Sequence, residues 1–341
     1  HRSAVAALAE HGARIVARKN RLSARFGRIA DIAREAAFLS EGEIVTQGHV
    51  LLAVQRTRDR ASLPSQKFRE MVESQTLMVQ TEGEVVGQIN GLAVMHSGPL
   101  TYGFPARITA TIGPGSAGLI NIEGRAQMSG AIHTKGFHIL GGLLRHLLRT
   151  EHPMAFSASL AFEQSYGGID GDSASGAEIV CLLSALTEIP IKQSMAMTGA
   201  IDQHGHLEAI GGVNEKVEGF FDACDYFGLN GSHGVVVPIS NAGDLMLSER
   251  VVEACREGKF HVFAVDNIHD AIELMTGQMA GRPDDQGVYP ADSLLAKAHN
   301  EIENFWRLTL ASPLTLAQVQ PAGGLHNDQP IVPKANEGDE T

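Results

Sequence analysis

The sequence predicts an α+β fold, a mixed sheet flanked by helices and preceded by a small all-α bundle. Three observations carry this. Residues 1–57 place their apolar side chains at helical spacing. From about Glu84 the pattern changes to short strand-like runs broken by glycine turns. Beyond Met154, strand-like and helix-like runs alternate up to Met275, which brings in crossover connections.

In chain order, Val5, Leu8, Ile15 and Val16 mark a first helix, and Phe26, Ile29, Ile32 and Ala33 a second. Thr46 N-caps a third, carrying Val50, Leu51, Leu52 and Val54. A polar connector over 61–83 follows, with Pro64 and one more helix. Val85–Val94 and Ala106–Ile112 read as strands. Gly113-Pro114-Gly115 reads as a turn, which makes Leu119–Glu123 a hairpin partner of the second strand. Lys135–Leu148 is an amphipathic helix, Met154–Phe162 an alternating strand, and Ser173–Glu188 a buried helix stopped before Pro190. Ile191–Glu208 holds two strands around a Gln203–His206 turn. Then come a helix at Val213–Phe227, a strand at Gly234–Pro238, a helix at Val251–Glu257, a strand at Phe260–Val265 and a helix at Ile268–Met275. The resulting division is 1–60 helical, 61–83 connector, 84–278 the α+β domain, 279–317 a linker with a last helix, and 318–341 a Pro/Gly/Asn/Asp-rich tail expected to be disordered.

Composition narrows the function. The 341 residues, 43% hydrophobic, suffice for one large core plus a smaller module. No run of 18 apolar residues is present, so no transmembrane helix is expected. The three cysteines, Cys181, Cys224 and Cys255, are widely spaced in apolar helical contexts and read as reduced residues of a cytoplasmic protein. The net charge of −12 is uneven. Residues 1–70 carry thirteen Lys/Arg against seven Asp/Glu, and the rest fourteen against thirty-two. An acidic body speaks against nucleic acid as a partner. The start at His1 suggests a piece of a longer chain.

Two stretches carry the chemistry. Gly171-Asp172-Ser173-Ala174-Ser175-Gly176 sets a serine where a strand-like run gives way to a helix. Asp172 and Ser173 suit an N-cap. The same position also offers a hydroxyl beside the free N–H groups of a helix's first turn, where an oxyanion can be held by the backbone at Ser173 and its neighbours. Gly211-Gly212-Val213-Asn214-Glu215-Lys216 sets a lysine early in another helix, at the edge of an apolar stripe. It is either a snorkelling lysine or one whose amine is kept neutral by burial, as a general base requires. His204-Gly205-His206 reads as a hairpin turn, with no third metal ligand at telling spacing.

Gly171-Asp172-Ser173-Ala174-Ser175, Met197-Thr198-Gly199 and Gly211-Gly212-x-x-Glu215-Lys216, in that order, resemble the proteolytic domain of Lon proteases over about 84–278. The form is that of the B type and its bacterial relatives, not the Pro-Ser-Ala-Gly form of the A type. Phe26–Ala36 resembles the lid subdomain of an AAA+ ATPase. The resemblance implies a Lon-type proteolytic domain behind an AAA+ lid-like bundle, and an ATP-dependent serine endopeptidase acting on unfolded or damaged polypeptides inside a homohexameric ring. It implies Ser173 as nucleophile, Lys216 as base and Thr198 as the residue orienting the lysine amine. Asp172 supports the turn, and Asp170 either matches an acidic position able to pair with the lysine and hold the site inactive or is a solvated turn carboxylate. Arg25 or Arg28 is a candidate nucleotide sensor or a plain surface arginine. No G-x-x-x-x-G-K-[ST] occurs, so no cofactor and no metal are expected on this chain itself. ATP and magnesium belong to an ATPase core expected upstream of His1. A second class of function is a catalytically silent ring-forming scaffold or substrate-binding module of an AAA+ machine.

Overall fold

The computed structural model describes residues 1–98 and 100–311. The tail predicted over 318–341 lies outside the described residues.

Four helices come first: α1 (Arg2–Val16), α2 (Phe26–Leu39), α3 (Gln47–Ala61) and α4 (Leu63–Glu73). Ala4, Ala7, Ile32, Ala36, Val50 and Ala53 make a small core among α1–α3. Small side chains at these crossings let the helices approach closely. Thr46 and His49 cap α3 reciprocally. Pro64 sits in the first turn of α4, where its missing N–H costs nothing. Phe68 of this helix meets Phe104 with ring centroids 4.4 Å apart, which seats α4 on the sheet domain.

The α+β region runs β1 (Glu84–Val85), β2 (Gln88–Ser97), β3 (Leu100–Pro114), β4 (Gly118–Asn121), α5 (Ile122–Arg125), α6 (Ala131–Leu148), β5 (Phe156–Phe162), α7 (Ser175–Thr187), β6 (Ile191–Lys192), β7 (Met195–Met197), β8 (Ala200–Ile201), β9 (Leu207–Glu208), α8 (Val213–Phe227), β10 (His233–Pro238), α9 (Glu249–Arg256), β11 (Phe260–Val265) and α10 (Ile268–Thr276), with α11 (Leu294–Leu310) closing it. Seven strands form one mixed sheet in the order β11-β10-β7-β2-β3-β5-β4. The β2–β3 and β3–β5 pairs are antiparallel, and the pairs β10–β11, β10–β7, β2–β7 and β4–β5 are parallel. The sheet is buried on both faces at β10, where side-chain alternation makes this visible. Val236 points into the core shared with α6, α7, α10 and α11, while Val235 and Val237 point into the core shared with α8 and α9.

Three sequence expectations are corrected. Gly118–Asn121 is not a hairpin partner of β3 but pairs in parallel with β5 at the sheet edge. The Gly-Pro-Gly run does not reverse the chain onto β3. Pro114 is still paired with Phe156, and Gly115 donates to the Ala155 carbonyl, so the chain steps over β5 before it bends. Ile191–Glu208 holds four short strands in three sheets rather than two strands. The helix predicted from Lys135 begins one turn earlier, at Ala131, because a carboxylate distant in sequence caps it.

Candidate active site

Ser173 stands in the turn that precedes α7, half-buried, with Ala174 as the helix N-cap. Gly171 takes φ 97°, a left-handed conformation that lets the chain swing into the turn. The helix's first turn is tied to the chain leaving β7. Gly176 donates to the Gly199 carbonyl at 3.0 Å, and the Ser173 carbonyl accepts from Gly199 N–H at 2.8 Å and from the Thr198 hydroxyl at 3.1 Å. Thr198 itself is anchored by its N–H to the Val236 carbonyl at 3.1 Å.

Lys216 comes from the opposite side, in the first turn of α8. Gly212, at φ 67°, starts that helix, and its carbonyl accepts from the Lys216 N–H at 2.9 Å. The apolar stripe Val213, Val217, Phe220 and Phe221 is buried against the sheet and drags Lys216 in with it, leaving it 2% exposed. Its Nζ lies 2.7 Å from Ser173 Oγ and 3.0 Å from Thr198 Oγ1. Because the Thr198 proton is committed to the Ser173 carbonyl, its oxygen accepts an N–H from the lysine. That leaves the third side of the amine facing Ser173 Oγ. Burial pulls the Lys216 pKa down to about 8, with the Asp172 carboxylate pulling it back up. The two residues that sequence reasoning paired thus meet in space, with Thr198 bonded to both.

The two acidic residues of the turn have different partners. Asp170 makes no ion pair with Lys216 among the described residues. Its Oδ1 accepts from Ile132 N–H at 3.1 Å, His133 N–H at 3.2 Å and Gly171 N–H at 2.9 Å. It caps α6, and these donors lower its pKa. Asp172, not Asp170, is the carboxylate felt by the lysine. The His204–His206 segment is a hairpin turn closed on Asp202, and no group that could hold a metal occurs among the described residues. Cys181 and Cys224 are buried free thiols, and Cys255 is half-buried. Arg25 and Arg28 are exposed beside a cleft of about 590 Å³ between the helical bundle and residues 247–249.

Sequence reasoning missed two features. Glu178 is an acid in the otherwise apolar α7, a visible signal, and lies opposite His133. Arg14 of α1 grips Glu218, two residues beyond Lys216, through two bonds of 2.5 and 2.6 Å; no spacing rule could have joined positions 204 apart. No helix among the described residues is long and apolar enough to cross a membrane.

Comparison with known proteins agrees with this arrangement. Residues 1–60 match the archaeal LonB AAA+ ATPase lid domain, and residues 166–277 match the Lon protease (S16) C-terminal proteolytic domain. A Lon protease homolog of Escherichia coli (strain K12) is 39% identical over 71% of this chain and 42% of its own length. One from Haemophilus influenzae is 42% identical over 63% of this chain and 36% of its own. The archaeal Lon protease of Archaeoglobus fulgidus is 28% identical over 79% of this chain and 41% of its own. The chain therefore spans roughly two fifths of the length of these curated relatives. With a lid-type segment at one end and the S16 domain around the Ser173–Lys216 contact, the chain belongs to the Lon protease family.

Proposed function

We propose that this chain is the proteolytic part of an ATP-dependent serine endopeptidase that uses a Ser173–Lys216 dyad on unfolded or damaged polypeptides. The observation that carries the reading is the 2.7 Å contact between Ser173 Oγ and a lysine amine that is 2% exposed and titrates near 8. A neutral amine takes the Ser173 proton as Oγ attacks the scissile carbonyl. The tetrahedral anion is then held by N–H groups around the Ser173 turn. The ammonium returns the proton to the leaving amine, and water attacking through the same base releases the acyl group. Thr198 keeps the amine turned toward Oγ throughout.

The match to an AAA+ lid supports work inside a larger ATP-driven assembly, read here as a homohexamer, and the free cysteines support a cytoplasmic setting. The sequence carries no G-x-x-x-x-G-K-[ST], so this chain does not bind ATP in the P-loop manner by itself. Fluorophosphonate labelling tests the dyad directly. Labelling of Ser173 that is abolished in Ser173→Ala and strongly slowed in Lys216→Met is the expected result. An unlabelled Ser173 in the folded wild-type chain would leave the silent-scaffold reading in its place.

A further inference from the structure

Behind the nucleophile turn lies a pair of ionisable side chains that the mechanism does not use. His133, in the first turn of α6, and Glu178, in the first turns of α7, are each 2% exposed in their side chains, with Nε2 and Oε1 3.9 Å apart. His133 Nε2 is fully buried and has no hydrogen-bond partner. A leucine at 178 would fill the helix interface without the desolvation cost of a carboxyl group, so stability alone does not account for the pair. Its surroundings are the bed of the catalytic turn. The His133 N–H donates to Asp170, and Gly136 one turn on packs so tightly that a Cβ there would lie 3.1 Å from Asp172 Cβ. Phe162 closes the other side, edge-on to the His133 ring at 5.5 Å.

We propose that His133 and Glu178 are a positioning pair for the nucleophile: they keep one proton between them inside the core and brace the Asp170–Ser173 turn from beneath. The inference rests on the reading of Ser173 as nucleophile. The groups facing the pair are Glu123 from α5, Asp170 from the turn and Cys181 from α7 itself. Burial, with the Glu123 charge, raises Glu178 to about 8, and burial lowers His133, so near neutrality both are uncharged. The acid proton then lies toward the bare Nε2, and an approach of about 1 Å closes the hydrogen bond. As pH rises, that proton leaves to solvent. A buried carboxylate is left beside Glu123, α6 and α7 are pushed apart, and the turn between them loses its support.

The test is the rate of fluorophosphonate labelling of Ser173 from about pH 6 to about pH 10, with melting temperature measured alongside. Wild type is expected to rise as Lys216 deprotonates and then fall on the alkaline side. In Glu178→Gln, whose amide matches the uncharged acid, the alkaline fall disappears. Glu178→Leu and His133→Phe label about tenfold more slowly at every pH, and Glu178→Gln recovers most of what Glu178→Leu loses. An alkaline fall unchanged in Glu178→Gln, or wild-type rates in both apolar variants, overturns the inference alone, since Ser173 would still be labelled. So does slow labelling that merely tracks a lost melting transition in all three variants. No labelling of wild type overturns the dyad reading and takes this inference with it.

Discussion

Gly103 of β3 and Gly219 of α8 touch backbone to backbone. A Cβ on Gly219 would lie 2.2 Å from the Gly103 carbonyl oxygen, and a Cβ on Gly103 would lie 2.0 Å from the Glu215 carbonyl oxygen and 2.6 Å from the Lys216 nitrogen. These two missing side chains let α8 lie flat on the sheet and set the depth at which Lys216 reaches Ser173. Gly103→Ala should lift the helix by about 1 Å or more, since a Cβ 2.0 Å from a backbone oxygen must withdraw to ordinary contact distance. We expect Ser173 labelling to fall by up to about a hundredfold, with a stability loss of only about 1–3 kcal/mol from overpacking. Unchanged labelling in a folded Gly103→Ala protein counts against this account of the site.

Lysine as base sets the direction of the pH response. Only the neutral amine accepts the serine proton, so reactivity rises with pH through the Lys216 pKa near 8. Stability moves with the same group. Its folded pKa lies below the ordinary lysine value, so its contribution is greatest above pH 10.5 and is lost as pH falls through about 8. Lys216→Met should strongly slow labelling. It should also gain about 3 kcal/mol at neutral pH from removing the buried charge, less about 1 kcal/mol for the lost Thr198 hydrogen bond. Denaturant melts at neutral and strongly alkaline pH check the sign: the gain should shrink as pH rises.

Thr198 acts through its hydroxyl, which joins the Ser173 carbonyl to the Lys216 amine. Thr198→Val keeps the shape and removes both bonds. Peptide hydrolysis should drop about tenfold or more in kcat with little change in KM, equivalent to about 1–2 kcal/mol. Thr198→Ser should restore most of the rate. A valine variant as fast as wild type would show that the lysine is oriented by packing alone.

Arg14 binds Glu218 through two charge-assisted bonds and the Met246 carbonyl at 2.8 Å, while Glu218 also accepts from Ser248 N–H at 2.7 Å. The helical bundle is thereby fastened to the helix that carries Lys216. The pair is partly exposed, 24% and 16% by side chain, so a double-mutant cycle of Arg14→Ala and Glu218→Gln should give a coupling of about 1 kcal/mol, shrinking with added salt. Labelling of Ser173 should slow in either single variant.

The sequence by itself determined the composition of the site. A serine between small residues at a strand-to-helix turn, a lysine at the edge of an apolar stripe and a threonine at a strand end are local signals. Their neighbours along the chain dictate the turn, the stripe and the strand. Most helices and long strands were legible for the same reason, since apolar spacing is a property of the segment. The path of Gly118–Asn121 and the split of Ile191–Glu208 were not legible, because strand pairing depends on which surfaces remain free elsewhere.

Tertiary structure alone decided which carboxylate serves which purpose. Asp170 and Asp172 look alike in the sequence. Folding brings the start of α6 to Asp170, whose oxygen takes up its free N–H groups, and leaves Asp172 as the acid that Lys216 feels. The glycine contact that sets the lysine's depth, the arginine that holds its helix and the buried His133–Glu178 pair all join residues distant along the chain. Short-range patterns cannot encode such neighbours, because burial and charge pairing arise only once the helices have packed onto the sheet.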